Sequence, residues 1–333
     1  MARYTQAMPT LRRIPLGDNN VYLVDDGGAR VLVDTGPDYR GAWEALQVAT
    51  HQRAPDLVAA THGHLDHAGL GASWQEAAVP VGLGAGDRAL AGGSAALDDI
   101  TVARGVLATA GLPAGLFESA AASLDRRRDQ AVRARDTWGP PDPRRRWPTA
   151  LRYRPFEPAV AFTGDERLPG GFRVMACPGH TPGNAVLIHE AEGWLFSGDQ
   201  LLPGYTPTPA IQAVPGSSGR ERFRSLPAYV ASLERLVARQ WSRCLPGHGE
   251  PFTDVDGALR AVIAAIEQRT DRVARALSAQ GPSTLFELAA RLYPNAIGRR
   301  FWQVVPSVLG HLDLLEARGS ARPGDEGRWE RCA

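Results

Sequence analysis

The chain contains no lysine; all 37 of its basic residues are arginine. Schiff-base chemistry and lysine-activated nucleophiles are thereby excluded. Cysteine is almost as scarce, with Cys177, Cys244 and Cys332 the only three among 333 residues. An odd, small number in a chain that opens without a signal-like stretch argues against a disulfide framework and for a reducing, cytoplasmic setting. No segment approaches the roughly 18 consecutive apolar residues that a membrane span needs. Charge of one sign is lacking too. The formal net charge is +1, which gives no global field to attract nucleic acid or a membrane surface. Apolar residues at 44% and charged residues at 22% match an ordinary globular protein, and the length favours one large domain with something smaller, or two modest domains.

The order of elements is partly legible. Apolar runs at 20–24 and 29–34, separated by Asp25-Asp26-Gly27-Gly28, predict a β-hairpin. Helical spacing follows at 39–49, and the short run 57–60 predicts a buried strand that leads straight into "THGHLDHAGL". From about 87 to 157 the chain is alanine-rich, carries twelve arginines against nine acids and has a proline-rich break, "WGPPDPRRRWP". This stretch is expected to be a mainly helical insertion that caps the site as an apolar lid. Strand-like runs resume at 172–177, 185–189, 193–197 and 243–245, with an amphipathic helix at 222–239. Residues 1–258 are read as one catalytic domain and 259–333 as a small helical module closed by a hairpin.

Three of only eight histidines fall within six positions. His62, His64, Asp66 and His67 form H-x-H-x-D-H, and histidine is the commonest metal ligand. In an extended segment His62 and His64 point the same way and can share one cation. Asp66 and His67, at the start of the next helix, can turn toward a second. Further donors stand after later strands: His180 in "CPGHTPG", Asp199 in "FSGDQ" and His248 in "LPGHGEP". Each lies beside glycine, which permits close backbone approach. His51, His189 and His311 are expected to be structural, with His189 ending a strand near the surface. Cys177 and Cys244 are expected to be buried, inert thiols. The arginine runs at 125–130 and 143–148 could grip an anion, yet neighbouring Asp125, Asp129 and Asp136 largely offset them.

H-x-H-x-D-H, P-G-H-T-P-G, S-G-D and P-G-H-G, in this order, resemble the metallo-β-lactamase superfamily of hydrolases over roughly residues 10 to 255. The resemblance implies an α/β fold, an αββα sandwich with its site at one edge. It implies that His62, His64 and His180 hold one metal, that Asp66, His67 and His248 hold another, and that Asp199 bridges them. The metals would be divalent, zinc first, with iron or manganese as alternatives. Asp34 in "VLVDTG" matches the family's early aspartate, which supports the histidine loop. Residues 259–333 resemble the winged-helix module of the lactamase-beta-like group, although eleven arginines against eight acids make packing its more natural task than DNA binding. Two such metals roughly 3.5–4 Å apart would make a bridging hydroxide available near neutral pH and polarise a carbonyl. Asp66 would orient that hydroxide while ligating, and Tyr205 in "LLPGYTPTPAI" could donate to a developing oxyanion. The expected substrate is a small molecule with an ester-type carbonyl, thioester or lactone, as in hydroxyacylglutathione-hydrolase-like relatives. The alternatives are a phosphodiesterase or single-stranded nuclease, and a regulator binding nucleic acid through its winged helix. No membrane partner is expected, nucleic acid is disfavoured, and a homodimer is possible on these grounds.

Overall fold

A computed structural model describes residues 8–51, 53–133, 137–141 and 147–332. Two large sheets face each other. The first has the order β1 (Thr10–Leu16), β2 (Asn19–Asp26), β3 (Ala29–Val33), β4 (Leu57–Ala59), β5 (Val81–Gly84), β6 (Val160–Phe162). The second contains β7 (Arg167–Leu168), β8 (Phe172–Ala176), β9 (Ala185–His189), β10 (Trp194–Gly198) and, at its far edge beside β10, the strand at Arg243–Pro246. The expected hairpin at 20–34 is β2–β3.

Period-two alternation builds the layers. In β2, Tyr22 and Val24 face the second sheet, while Val21 and Leu23 face outward under helices. On the second sheet Leu187 and Phe196 point inward, and Ile188 and Leu195 point out. Both faces of both sheets are therefore covered. The helices α1 (Ala42–Thr50), α2 (Leu65–Ala68) and α3 (Gly71–Glu76) follow the early strands, and Leu46 of α1 and Trp74 of α3 cover the first sheet. The result is the expected αββα sandwich.

The insertion begins after β5 and ends before β6, two adjacent parallel strands. It is the crossover between them, enlarged. Neither strand is legible in the sequence, because "VGLG" is half glycine and "VAF" is only three residues long. The insertion is helical only in its first part, as α4 (Arg88–Ala91), α5 (Ala95–Thr109) and α6 (Ala114–Arg133). Its described later residues carry no helix and return to the sandwich, where Phe156 is buried and Trp147 and Leu151 pack against it. Asp136 and Arg144–Arg146 of the second arginine run lie outside the described residues.

A ribbon of β11 (Gln212–Ala213) and β12 (Arg222–Phe223) precedes α7 (Ser225–Val237), β13 (the edge strand Arg243–Pro246) and α8 (Val255–Gln280). Because Arg222 and Phe223 pair with β11, the predicted 222–239 helix starts later than its periodicity suggests. Then come β14 (Ser283–Thr284), α9 (Leu285–Leu292), α10 (Phe301–Ala317), β15 (Ala321–Pro323) and β16 (Arg328–Arg331), with sheet order β14-β16-β15. A capping box, Thr284 with Glu287, fixes the start of α9. Helix α8 runs unbroken through 258/259. Its first half, including Leu259 and Ile266, packs on the second sheet, and its second half, Val273 and Leu277, joins a separate cluster. That cluster also holds Leu107 and Leu124 of the insertion with Leu288, Val305 and Leu312, so the insertion and the C-terminal helices share one core.

His189 is not near the surface. It is fully buried between Phe172 and Trp194, with Nε2 3.1 Å from Asp26 Oδ2. β9 is an inner strand between β8 and β10, so Phe172 and Trp194 stand directly across from His189 on either side, which the sequence alone does not reveal. Cys177 and Cys244 are buried free thiols, as expected, and burial pushes the pKa of each up to about 12. His311 is buried against Thr270 Oγ1 at 2.8 Å. No helix among the described residues is long and apolar enough to cross a membrane.

One ion pair ties α10 to the β11–β12 ribbon: Arg222 grips the buried Asp313 carboxylate through two bonds of 2.5 Å. Asp313→Ala should strand the guanidinium in a mostly desolvated position and cost about 3 kcal/mol in urea unfolding. Asp313→Asn should recover part of that loss.

Candidate metal centre

All the predicted donors converge at one edge of the sandwich, where the chain leaves β4, β8, β10 and β13. The loop after β4 is extended through His64, whose ψ of 149° places it at the cap of α2, and the first turn of α2 then brings Asp66 and His67 round. His62 Nε2 lies 3.1 Å from His64 Nδ1, and His180 Nε2 lies 3.0 Å from the same atom. On the other side, His67 Nε2 is 3.3 Å from His248 Nε2, and Asp66 Oδ2 is 3.4 Å from His248 Nε2. Asp199 stands between the two groups: Oδ1 is 3.3 Å from His67 Nε2, and Oδ2 is 3.4 Å from His180 Nε2. Three overlapping triads, His62–His64–His180, His62–His67–Asp199 and Asp66–His67–His248, each hold their donor atoms within 4.8 Å of one another.

This donor set fits divalent cations. Asp199 Oδ1 is buried and has no well-formed hydrogen bond, an exposed lone pair that would be costly unless a cation meets it. Burial, and then the neighbouring imidazoles, hold His62 well below the usual histidine range, and burial followed by His64 takes His180 down to about 3. Both are neutral near pH 7, so their lone pairs are free to ligate. Burial disfavours charge on His67 as well, but Asp199, Asp34 and Asp66 outweigh it and raise that imidazole well above its ordinary value. Burial opposes charge on Asp66 and Asp199, but His67 and His248, joined by His64 for Asp66 and by His180 for Asp199, hold both low. The carboxylates are thus ionised and attract positive charge.

Asp34 supports the donors from behind. Its Oδ2 accepts from His67 Nδ1 at 2.8 Å, and Oδ1 accepts from Thr61 N and Oγ1 at 2.7 and 2.9 Å. The bond to Nδ1 leaves Nε2 to face the centre. Asp34 adopts φ 65°, a left-handed conformation that aspartate tolerates better than most residues. His248 is oriented in the same manner, with Nδ1 2.8 Å from the Asp18 carbonyl. The glycines beside the donors make room for neighbouring loops: a Cβ at Gly247 would meet the His67 ring at 2.5 Å, and one at Gly198 would meet Thr61 Oγ1 at 2.4 Å.

Asp87 has the strongest positional claim that sequence inspection missed. It is fully buried, and its carboxylate accepts from Gly63 N at 2.8 Å, Thr181 Oγ1 at 2.6 Å and Gly183 N at 2.7 Å. Burial pushes its carboxyl up while these bonds pull it down. It pins the loop carrying His62 and His64 to the loop carrying His180. The only trace in sequence is the dipeptide Gly86-Asp87 after "VGLG", which reads as an ordinary turn.

Tyr205 is the weakest of the expected site residues. It is 56% exposed on the rim of a cleft of about 520 Å³ that contains His64, Asp66, His180, Asp199 and His248. The lid also departs from expectation. It is apolar beside the centre, but farther out Arg126 and Arg127 of the first arginine run face Arg299 and Arg300 across a second cleft. Compensation within the run is only partial: Asp129 lies 3.8 Å from Arg128, while Asp125 is turned to Arg104 and leaves Arg126 and Arg127 without it.

A four-layer sandwich with a seven-residue His/Asp cluster at its strand ends defines a metal-dependent hydrolase. Residues 14–248 match the family described as the metallo-beta-lactamase superfamily. The chain belongs to that superfamily. It is 29% identical over 308 residues, 91% of this chain and 89% of the relative, to the probable metallo-hydrolase YqjP of Bacillus subtilis. It is 24% identical to a beta-lactamase-like protein 2 homolog of Drosophila melanogaster, covering 92% of this chain and 85% of that protein. Among solved structures, a metallo-beta-lactamase family protein from Thermus thermophilus superposes with a TM-score of 0.62 at 25% identity, covering 97% of this chain and 98% of that one. A beta-lactamase domain protein from Burkholderia ambifaria shares the fold, with a TM-score of 0.67 at 22% identity over 98% and 93% of the two chains.

Two substitutions separate ligation from support. Asp199→Ala should lower metal content from about two equivalents per chain to less than one by elemental analysis. Asp87→Asn keeps size and fold but loses a charged acceptor, and should weaken metal retention about 10- to 100-fold in chelator competition. Unchanged retention would show that Asp87 does not position the donors.

Proposed function

We propose that the protein hydrolyses an ester-type carbonyl, a thioester or lactone, and that His62, His64 and His180 on one side and Asp66, His67 and His248 on the other hold two divalent cations with Asp199 between them. Zinc suits this imidazole-rich, carboxylate-containing set, with iron or manganese as alternatives. Bound there, the cations would draw a nucleophile from water near neutral pH and polarise the oxygen under attack.

The chain supplies the remainder. Asp66 faces the cleft and orients the attacking water. Asp34 fixes the His67 tautomer, and Asp87 holds the relative position of two donor loops. Tyr205, on the rim of the cleft, is the side chain proposed to donate to a developing oxyanion. The observation that carries the carbonyl assignment is the cleft wall: beyond the donors it is lined by Leu202, Pro203, Tyr205, Pro207, Thr208 and Gly249, with no arginine at the reacting end among the described residues. A phosphodiester there would find no cation from the protein for its non-bridging oxygens.

Residues 259–333 follow the order helix–strand–helix–helix–strand–strand, which supports reading them as a winged-helix-like module beside a catalytic domain at 1–258. DNA recognition by this module is disfavoured because α10, the third helix in that order, is buried along nearly its whole length, from Val304 to Leu315.

A panel of acyl thioesters, lactones, aryl esters and bis-p-nitrophenyl phosphate under defined metal loading tests the assignment. The carbonyl substrates should be turned over at least about 100-fold faster than the phosphodiester, a difference of some 2.7 kcal/mol in barrier. A reversed order, or full activity after exhaustive chelation, would overturn it.

A further inference from the structure

The cleft at the metal centre does not end there. His64 and Thr208 are common to it and to a second cavity of about 410 Å³, which runs between α5, α6 and the start of α10. This limb has mostly apolar walls, including Ile100, Leu124, Ile211 and Pro306, with a few polar groups among them and one carboxylate, Asp99, which accepts from Ala213 N at 2.7 Å. Gln212 is one of these: it is 5% exposed, and its Oε1 has no hydrogen-bond partner among the described residues. A buried acceptor left open on a cavity wall calls for an N–H donor from whatever fills the cavity.

The limb opens in turn, past Arg127, Trp302 and Gln303, into the outer cleft of about 700 Å³. Four arginines line that cleft, Arg126, Arg127, Arg299 and Arg300, and no acid does among the described residues. None of the four pairs with a carboxylate among the described residues. Arg127 lies over the Trp302 ring at 4.7 Å, and burial lowers its pKa; such stacking holds a guanidinium flat while its donors stay open. Helix α10 starts at the same place without a side-chain cap, adding the positive end of its dipole.

Resting on the carbonyl assignment above, we infer that the substrate is an extended ester or thioester whose far end carries phosphate groups. The reacting carbonyl sits at the donor cluster, and an arm with an amide N–H passes Gln212 in the limb. The phosphates end among Arg126, Arg127, Arg299 and Arg300, and the acyl group extends the other way, toward Leu202 and Tyr205. Guanidinium pairs suit phosphate oxygens bidentately. An apolar limb between reacting centre and anion site suits a flexible arm and not a run of nucleotides, whose phosphates would recur along it.

Binding can be read without turnover. Titration calorimetry of the metal-loaded protein with coenzyme A, which has an amide-bearing arm and phosphates but no scissile acyl bond, should show binding. Pantetheine, which lacks the phosphates, should bind at least about tenfold more weakly. In kinetics, octanoyl-coenzyme A should have a kcat/KM at least about tenfold above the octanoyl thioester of N-acetylcysteamine. That ratio should collapse toward one in the Arg126→Gln/Arg300→Gln double variant and persist in the control Arg275→Gln, an exposed arginine of α8. Circular dichroism would establish that both variants are folded.

Thioester turnover with no preference for the phosphorylated carrier, and no binding of coenzyme A, overturns this assignment and leaves the carbonyl reading intact. Coenzyme A bound through the arginines by a protein that cleaves only the phosphodiester overturns the carbonyl reading and the thioester substrate with it. Tight single-stranded RNA binding that the double variant loses, without coenzyme A binding, also overturns it.

Discussion

Asp34 and Asp87 are buried carboxylates that hold the active edge together from behind. Each accepts three hydrogen bonds, and each bond comes from a loop that carries a donor or adjoins one. A buried carboxylate without such bonds would be driven neutral or expelled; with them it becomes a rigid joint. Five histidines packed within a few ångströms repel one another as soon as they protonate. The joints hold the donor loops together against that repulsion. The glycines that let Gly247 approach His67 and Gly198 approach Thr61 serve the same closeness.

The second organising feature is the core shared by the insertion and the C-terminal helices. Leu107 and Leu124 would be exposed on a two-helix lid standing alone; Leu288, Val305 and Leu312 cover them. One consequence is that the lid has a fixed inner wall, so the limb leading from His64 has a definite shape. Another is that α10 spends its surface on packing, which leaves little of it for a partner. The arginines that remain outside collect where α6 meets the start of α10, so the cavity passes from a mostly apolar middle that carries Asp99 to a strongly positive far end.

Much of the centre was legible in the chain. H-x-H-x-D-H is a local motif, and the extended-to-helical change between His64 and Leu65 is enough to aim its two halves apart. His180, Asp199 and His248 were recognisable because each follows an apolar run and abuts glycine. Asp87 was not, because its partners are Gly63, Thr181 and Gly183, two backbone amides and a hydroxyl whose nearness no spacing records. β5 and β6 were hidden for a different reason: they are short, and Gly82 and Gly84 erase the alternation that marks a strand. The placement of His189 near the surface failed because a histidine at a strand end is usually solvated, and here Phe172, Trp194 and Asp26 enclose it.

By itself, the sequence determined the chemistry available: imidazoles and carboxylates in a fixed order, no lysine, no disulfide framework, and enough alternating apolar runs for two covered sheets. Those properties are set by residue type and by neighbours a few positions apart. Tertiary structure alone decided which arginines stay without acidic partners among the described residues. Asp125 and Arg126 are adjacent in the chain, yet Asp125 turns to Arg104 while Arg126 turns toward Arg299 and Arg300. Charge compensation depends on distance in space, and helix packing, not sequence separation, sets that distance.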